Sequence, residues 1–160
     1  MANDPSCVAL ALKVWKTQID RADKLFGSLP SEAILQEIAP GRNRVLYLWG
    51  HLTAVRDAML PLLGLRERLH PELDVAFVSN PDKSRDDIPS HEHVRQAWSV
   101  VNAELWKGFE AMSSSDWFQR HSAISEEDFA KDPSRNRFSV LLSRTNHLSY
   151  HLGQAVLAFK

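Results

Sequence analysis

Arg144-Thr-Asn-His-Leu-Ser-Tyr-His-Leu-Gly-Gln154, close to the end of a 160-residue chain, sets His147 and His151 four positions apart. In a helix, four residues advance about 6 Å along the axis and return to within ~40° of the starting direction. Two imidazoles so placed point the same way, as a shared divalent transition metal requires. Leu141, Leu148, Leu152 and Val156 fall on the adjacent stripe, so the pair borders a core-facing side. An apolar wall beside two imidazoles describes either a metal pocket or an unusual core. The choice depends on what the rest of the chain brings to it.

Working outward, this stretch belongs to a helix predicted from about Asn136 to Phe159. Three more long helices precede it. From Ser6 to Phe26, Val8, Leu12, Trp15, Ile19, Ala22 and Phe26 recur at threes and fours, with Gly27 at the expected stop. From Asn43 to Leu65, Leu48, Leu52, Val55, Met59 and Leu62 keep the same spacing, with Asn43 as the expected N-cap and Gly64 as the stop. Ser90 caps a helix carrying Val94, Trp98, Val101, Leu105, Phe109 and Met112. Ser31 to Ile38 reads as a short connecting helix, Asp116 to His121 as an added turn, and Ile124 to Ser134 as polar connection. The tract from Pro71 to Ser90, rich in Pro, Asp, Ser and Asn, reads as a long crossing loop that walls or lids a site. Within it, Val75-Ala-Phe-Val78 is the one fragment with any strand character. Four amphipathic helices in one domain predict an all-α fold, a four-helix bundle with its sites built between facing helices. Pro40-Gly-Arg-Asn-Arg44 and Pro133-Ser-Arg-Asn-Arg137 echo each other, each leading into a histidine-bearing helix.

Composition narrows the function. A formal net charge of −1 offers no field for nucleic acid or an anionic membrane surface. The five tryptophans have no basic stripe beside them, so they read as core and interface anchors rather than base-stacking platforms. The start lacks a basic segment followed by an apolar run, and no segment reaches the ~18 apolar residues of a membrane span, so a cytoplasmic protein is expected. Cys7 is the single cysteine, which removes internal disulfides and cysteine-cluster zinc sites. A transition metal would need His, Asp or Glu.

Seven histidines are available. His70, His91, His93 and His121 lie in or beside loops and caps among charged residues and read as solvated. His91 and His93, two apart, face different sides of a helix. His51, His147 and His151 instead fall on or beside apolar helix faces. Burying three imidazoles without partners would cost roughly 1–3 kcal/mol each, which makes one shared metal the economical explanation. Three protein nitrogens leave coordination positions open, the mark of a catalytic or substrate-binding site rather than a closed structural one. Tyr47 lies one turn before His51, Arg144 one turn before His147, and Gln154 almost one turn after His151. These are the candidates for orienting the ligands.

Trp49-Gly-His51-Leu52 and His147-x-x-Tyr150-His151-x-Gly153-Gln154, in their four-helix order, resemble the DinB/YfiT-like family of bacterial metalloenzymes. The resemblance spans nearly the whole length and is most specific in the final motif. It implies an up-down-down-up bundle in which one histidine of the second helix and two of the fourth hold a divalent metal, often nickel or zinc. Here those are His51, His147 and His151, the trio the residue pattern selects on its own. It also implies a homodimer and a thiol-dependent chemistry, since relatives include bacillithiol S-transferases and a mycothiol-dependent isomerase. The expected function is therefore a metal-dependent enzyme activating a low-molecular-weight thiol or water, an S-transferase or hydrolase. Two alternatives remain open: a non-catalytic stress or interaction module stabilised by its metal, and a metal-free bundle with a buried histidine network.

Overall fold

Four long helices frame the computed structural model, which describes residues 5–159. They are α1 (Pro5–Gly27), α3 (Val45–Asp57), α6 (His91–Ala111) and α8 (Arg137–Val156). Short helices lie between them: α2 (Ser31–Ile34), α4 (Met59–Leu62), α5 (Leu73–Phe77) and α7 (Glu126–Lys131). Single 3-10 turns occupy Asp116–Phe118 and Leu157–Phe159. The described residues are all-helical, with no strand. Two isolated antiparallel bridges, Glu37 with Arg44 and Arg120 with Asn136, stand at the entries to α3 and α8. Both echoing Arg-Asn-Arg segments therefore deliver the chain into their helices through one bridged residue.

α3 is the central element, packed against α5, α6 and α8, while α1 lies along α8. The sequence pattern gave α3 one apolar stripe, yet Leu46, Trp49, Gly50, Thr53 and Ala54 are buried as fully as Leu48 and Leu52. Neighbours on several sides leave α3 little face for solvent, which a single-stripe pattern does not anticipate. The helix expected to run on to Leu65 breaks at Ala58. Pro61 is the cause: it lacks an N–H to donate to Asp57, and its ring crowds that carbonyl four residues back. Gly64, with φ +70°, ends the chain direction as expected.

Other departures have local reasons. Arg44 rather than Asn43 sits at the α3 N-cap, and no side chain bonds the freed amides there. Val75-Ala-Phe-Val78 is mostly the helix α5, not strand, and part of the expected polar connection after Ile124 is the short helix α7. Ser125 supplies the α7 cap by accepting from the Asp128 amide at 3.1 Å. Ser90 caps α6 as read from sequence, accepting from the His93 amide, and Asn136, expected only as the start of the last helix, caps α8 by accepting from the Ser139 amide.

Two apolar clusters fill the interior. One gathers Phe26, Leu48, Trp49, Leu52, Phe77, Trp98, Leu148 and Leu152; the other gathers Trp15, Met59, Leu60, Leu105, Phe109, Trp117 and Leu141. Arg56, 1% exposed, joins them: its guanidinium lies 4.7 Å from the ring centre of Trp15 in one cluster and 4.7 Å from Trp98 in the other. Burial pulls its pKa down to about 9, with Asp23 opposing the shift. Four of the five tryptophans, at 15, 49, 98 and 117, are buried. These four are the core anchors the sequence suggests. No described helix is long and apolar enough to cross a membrane.

Candidate metal centre

His51 stands in the middle of α3, and His147 and His151 lie one turn apart on the facing side of α8. Nearly a hundred residues separate the two helices in sequence, and their packing brings the three rings together. His147 Nε2 lies 3.2 Å from His51 Nε2 and 3.0 Å from His151 Nε2. The ring centres are 5.1, 5.2 and 4.5 Å apart, each pair near perpendicular. All three side chains are half-buried, and the leucines that follow each in the chain, Leu52, Leu148 and Leu152, are buried. This group can hold a metal ion. Nitrogens bound at ~2.0–2.1 Å in tetrahedral geometry lie roughly 3.3–3.4 Å apart, so little adjustment would seat a common cation.

The outer ring nitrogens are committed elsewhere. His51 Nδ1 donates to the carbonyl oxygen of Phe77 at 2.8 Å, and His151 Nδ1 donates to Gln154 Oε1 at 2.7 Å. A carbonyl can accept but not donate, so each Nδ1 carries the proton and each Nε2 presents a lone pair inward. Without a cation, the proton on His147 could serve one of these lone pairs well, or both poorly. Electrostatics favour the neutral form of the two α8 imidazoles. Burial, followed by the neighbouring His151, His51, Arg144 and Arg56, pulls His147 down to about 4. Burial likewise lowers His151, against the opposing hydrogen bond from Gln154. Neutral imidazole is the form that binds a metal.

Of the three orienting candidates, Gln154 makes the expected contact. Tyr47 does not bond a ligand: its hydroxyl donates to the Asn80 carbonyl at 2.8 Å, while its ring lies nearly parallel to His51, 6.4 Å between centres. Arg144 is half-buried, with no hydrogen-bond partner for its Nε among the described residues, and burial lowers its pKa. It acts on His147 through its charge.

The partner of His51 was not legible, because a backbone carbonyl carries no residue signature. It comes from α5, inside the tract expected to be loop. That tract is a fixed wall. Arg44 makes a paired contact with Asp82 (Nη2 to Oδ1 2.6 Å, Nε to Oδ1 3.0 Å), and Lys83 bonds Glu37 and the Arg42 carbonyl. Gly50 lets the wall come close, since a Cβ there would stand 2.6 Å from the Phe77 ring.

Two of the histidines read as solvated lie in a second cluster. His70 Nδ1 is 3.1 Å and His93 Nε2 3.2 Å from the same oxygen of Glu72, Oε1. This too is a group that can hold a metal. The i, i+2 spacing argued against His91 and His93 acting together, but His93 finds its partners on another element. His121 is also more enclosed than expected: its Nδ1 is buried without a partner among the described residues, and burial lowers its pKa. Cys7 lies exposed within α1. In sequence, the chain matches no protein-family model and no curated protein.

Proposed function

We propose that this chain is a divalent-metal protein of the DinB/YfiT-like kind, an up-down-down-up four-helix bundle, and that it acts as a metal-dependent enzyme on a small-molecule substrate. The observation that carries the reading is the convergence of three inward Nε2 atoms, two of them fixed by Nδ1–H bonds to carbonyl oxygens. Nickel or zinc fits this all-nitrogen donor set better than the hard, oxygen-seeking cations.

A cation held there supplies Lewis acidity, so that a coordinated water or low-molecular-weight thiol ionises near neutral pH. The protein's own part is to keep the His147 and His151 imidazoles neutral and the ligand rings correctly turned. Phe77 and Gln154 set the ring orientation, and the clamped 71–90 segment closes one side. Tyr150, 64% exposed beside His151 with ring centres 5.0 Å apart, marks the rim where substrate would arrive. Thiol transfer to an electrophile is placed before hydrolysis on the family likeness. A homodimer is part of the same proposal; exposed Leu10, Val14, Leu142 and Val156 on α1 and α8 offer apolar surface for it.

The test joins metal analysis of untagged protein to thiol-conjugation and hydrolysis assays over a panel of electrophiles. About one ion at the triad, and turnover lost in His147→Ala/His151→Ala, is the expected result. Full turnover in that variant would refute the proposal.

A further inference from the structure

Glu72 stands just before α5 and His70 two residues earlier, whereas His93 belongs to the first turn of α6. The three donor atoms lie within 4.8 Å of one another, and the two imidazoles meet at 90° with ring centres 5.7 Å apart. Both rings turn to a single carboxylate oxygen. Hydrogen bonding alone could as readily use the two oxygens of Glu72, one for each ring. With both nitrogens beside the same oxygen, all three donor atoms are close enough for one cation to touch them together.

The scaffold beneath these side chains is rigid. Asp57, fully buried at the end of α3, accepts from the backbone N–H groups of Leu69 at 2.7 Å and His70 at 3.0 Å, and from Arg68 Nε at 2.9 Å. Arg68 also bonds Asp74, in the first turn of α5. His93 is fixed from the other side by Ser90, which accepts its backbone N–H at 3.2 Å. The ligands therefore project from anchored backbone. They remain open to water, with side-chain exposures of 22% for His70, 52% for Glu72 and 43% for His93.

We propose that His70, Glu72 and His93 form a second divalent-metal site, of the two-nitrogen, one-oxygen type that suits zinc or a similar borderline ion, and that this ion clips α5 to the start of α6. Solvent completes its coordination. The site does not depend on the histidine triad, but it braces the triad's surroundings, because α5 also carries the Phe77 carbonyl that orients His51.

The experiment is zinc titration of untagged, chelator-stripped protein against a chromophoric competitor at micromolar free Zn2+, with helicity followed by circular dichroism. It uses the His147→Ala/His151→Ala background, which removes the triad. One ion per chain should bind there, and adding either Glu72→Gln or His93→Gln should reduce it to none while leaving helicity unchanged. No binding in the background variant, or one ion that survives both added substitutions, overturns the proposal. A second ion in the unsubstituted protein, lost in the background variant, reports separately on the triad.

Discussion

The histidine triad between α3 and α8 and the His70–Glu72–His93 group at the protein's edge bring donor atoms together by different means. The triad uses the middles of two packed helices, so its geometry follows from the core. Its charge state follows from burial, which pulls His147 down to about 4. The edge group uses a loop, a helix start and a first turn, held by the buried Asp57 and by Arg68. Burial would push the Glu72 carboxyl up, but bonds from its own backbone amide, His70 and His93 outweigh it and hold the pKa below the usual range. One site is tied to packing; the other is open and built around a carboxylate. Damage to the core should therefore separate them.

The largest separation is expected from removing triad ligands. His147→Ala should weaken the triad's metal affinity by more than the ~10–100-fold typical of losing an outer hydrogen-bond partner, while the edge group is untouched. Metal titration of His147→Ala against the unsubstituted protein measures this, and equal loss at both sites would break the contrast. Gly50→Ala comes next. Its new Cβ would meet the Phe77 ring at 2.6 Å, so α5 must shift. Overpacking of this kind costs about 1–3 kcal/mol, readable by urea unfolding. The displaced Phe77 carbonyl should weaken the triad as well. An unchanged midpoint would show that α5 yields freely, contrary to the clamped wall.

The two regions also differ in how far they could be read from sequence. His147 and His151 were legible because four residues return a helix to the same face, and His51 because it interrupts an apolar stripe. Ser90 announced its helix through a side chain that accepts an amide proton. The edge group gave no such signal: residues 70, 72 and 93 share no helical period, and their meeting depends on Asp57 fixing the 68–70 backbone and Ser90 holding the first turn of α6. The Phe77 carbonyl was hidden for a simpler reason, since every residue has one. The break at Ala58 could have been found, because Pro61 was in view and its clash with the carbonyl four residues back is general. The central burial of α3 could not, because it depends on neighbours far along the chain.

Gln154→Leu tests orientation without disturbing the core. Gln154 is half-buried on α8, and its Oε1 fixes the His151 proton on Nδ1. Loss of that bond frees the ring to turn or change tautomer, so triad affinity should fall by ~10-fold, the lower end for an outer partner, with little change in melting temperature. A melting loss as large as that of Gly50→Ala would recast Gln154 as a packing residue.

The smallest effect is the pH response of the metal-free protein, and its sign follows from His147. The folded value of about 4 lies below the ~6.5 of an unfolded histidine, so between those values the unfolded chain binds the additional proton. Stability from this residue is therefore complete above about pH 6.5 and is lost as pH falls through the folded value near 4. Carboxylates titrate in the lower part of the same window, so the informative quantity is the difference between two proteins. His147→Gln removes this titration, and its melting temperature should decline less steeply from pH 6.5 to 4 than that of the unsubstituted protein, by on the order of a few degrees. If the His147→Gln curve ran parallel to the unsubstituted one instead, His147 would titrate no lower in the folded protein than in the unfolded chain, and its shielding by the core would be refuted.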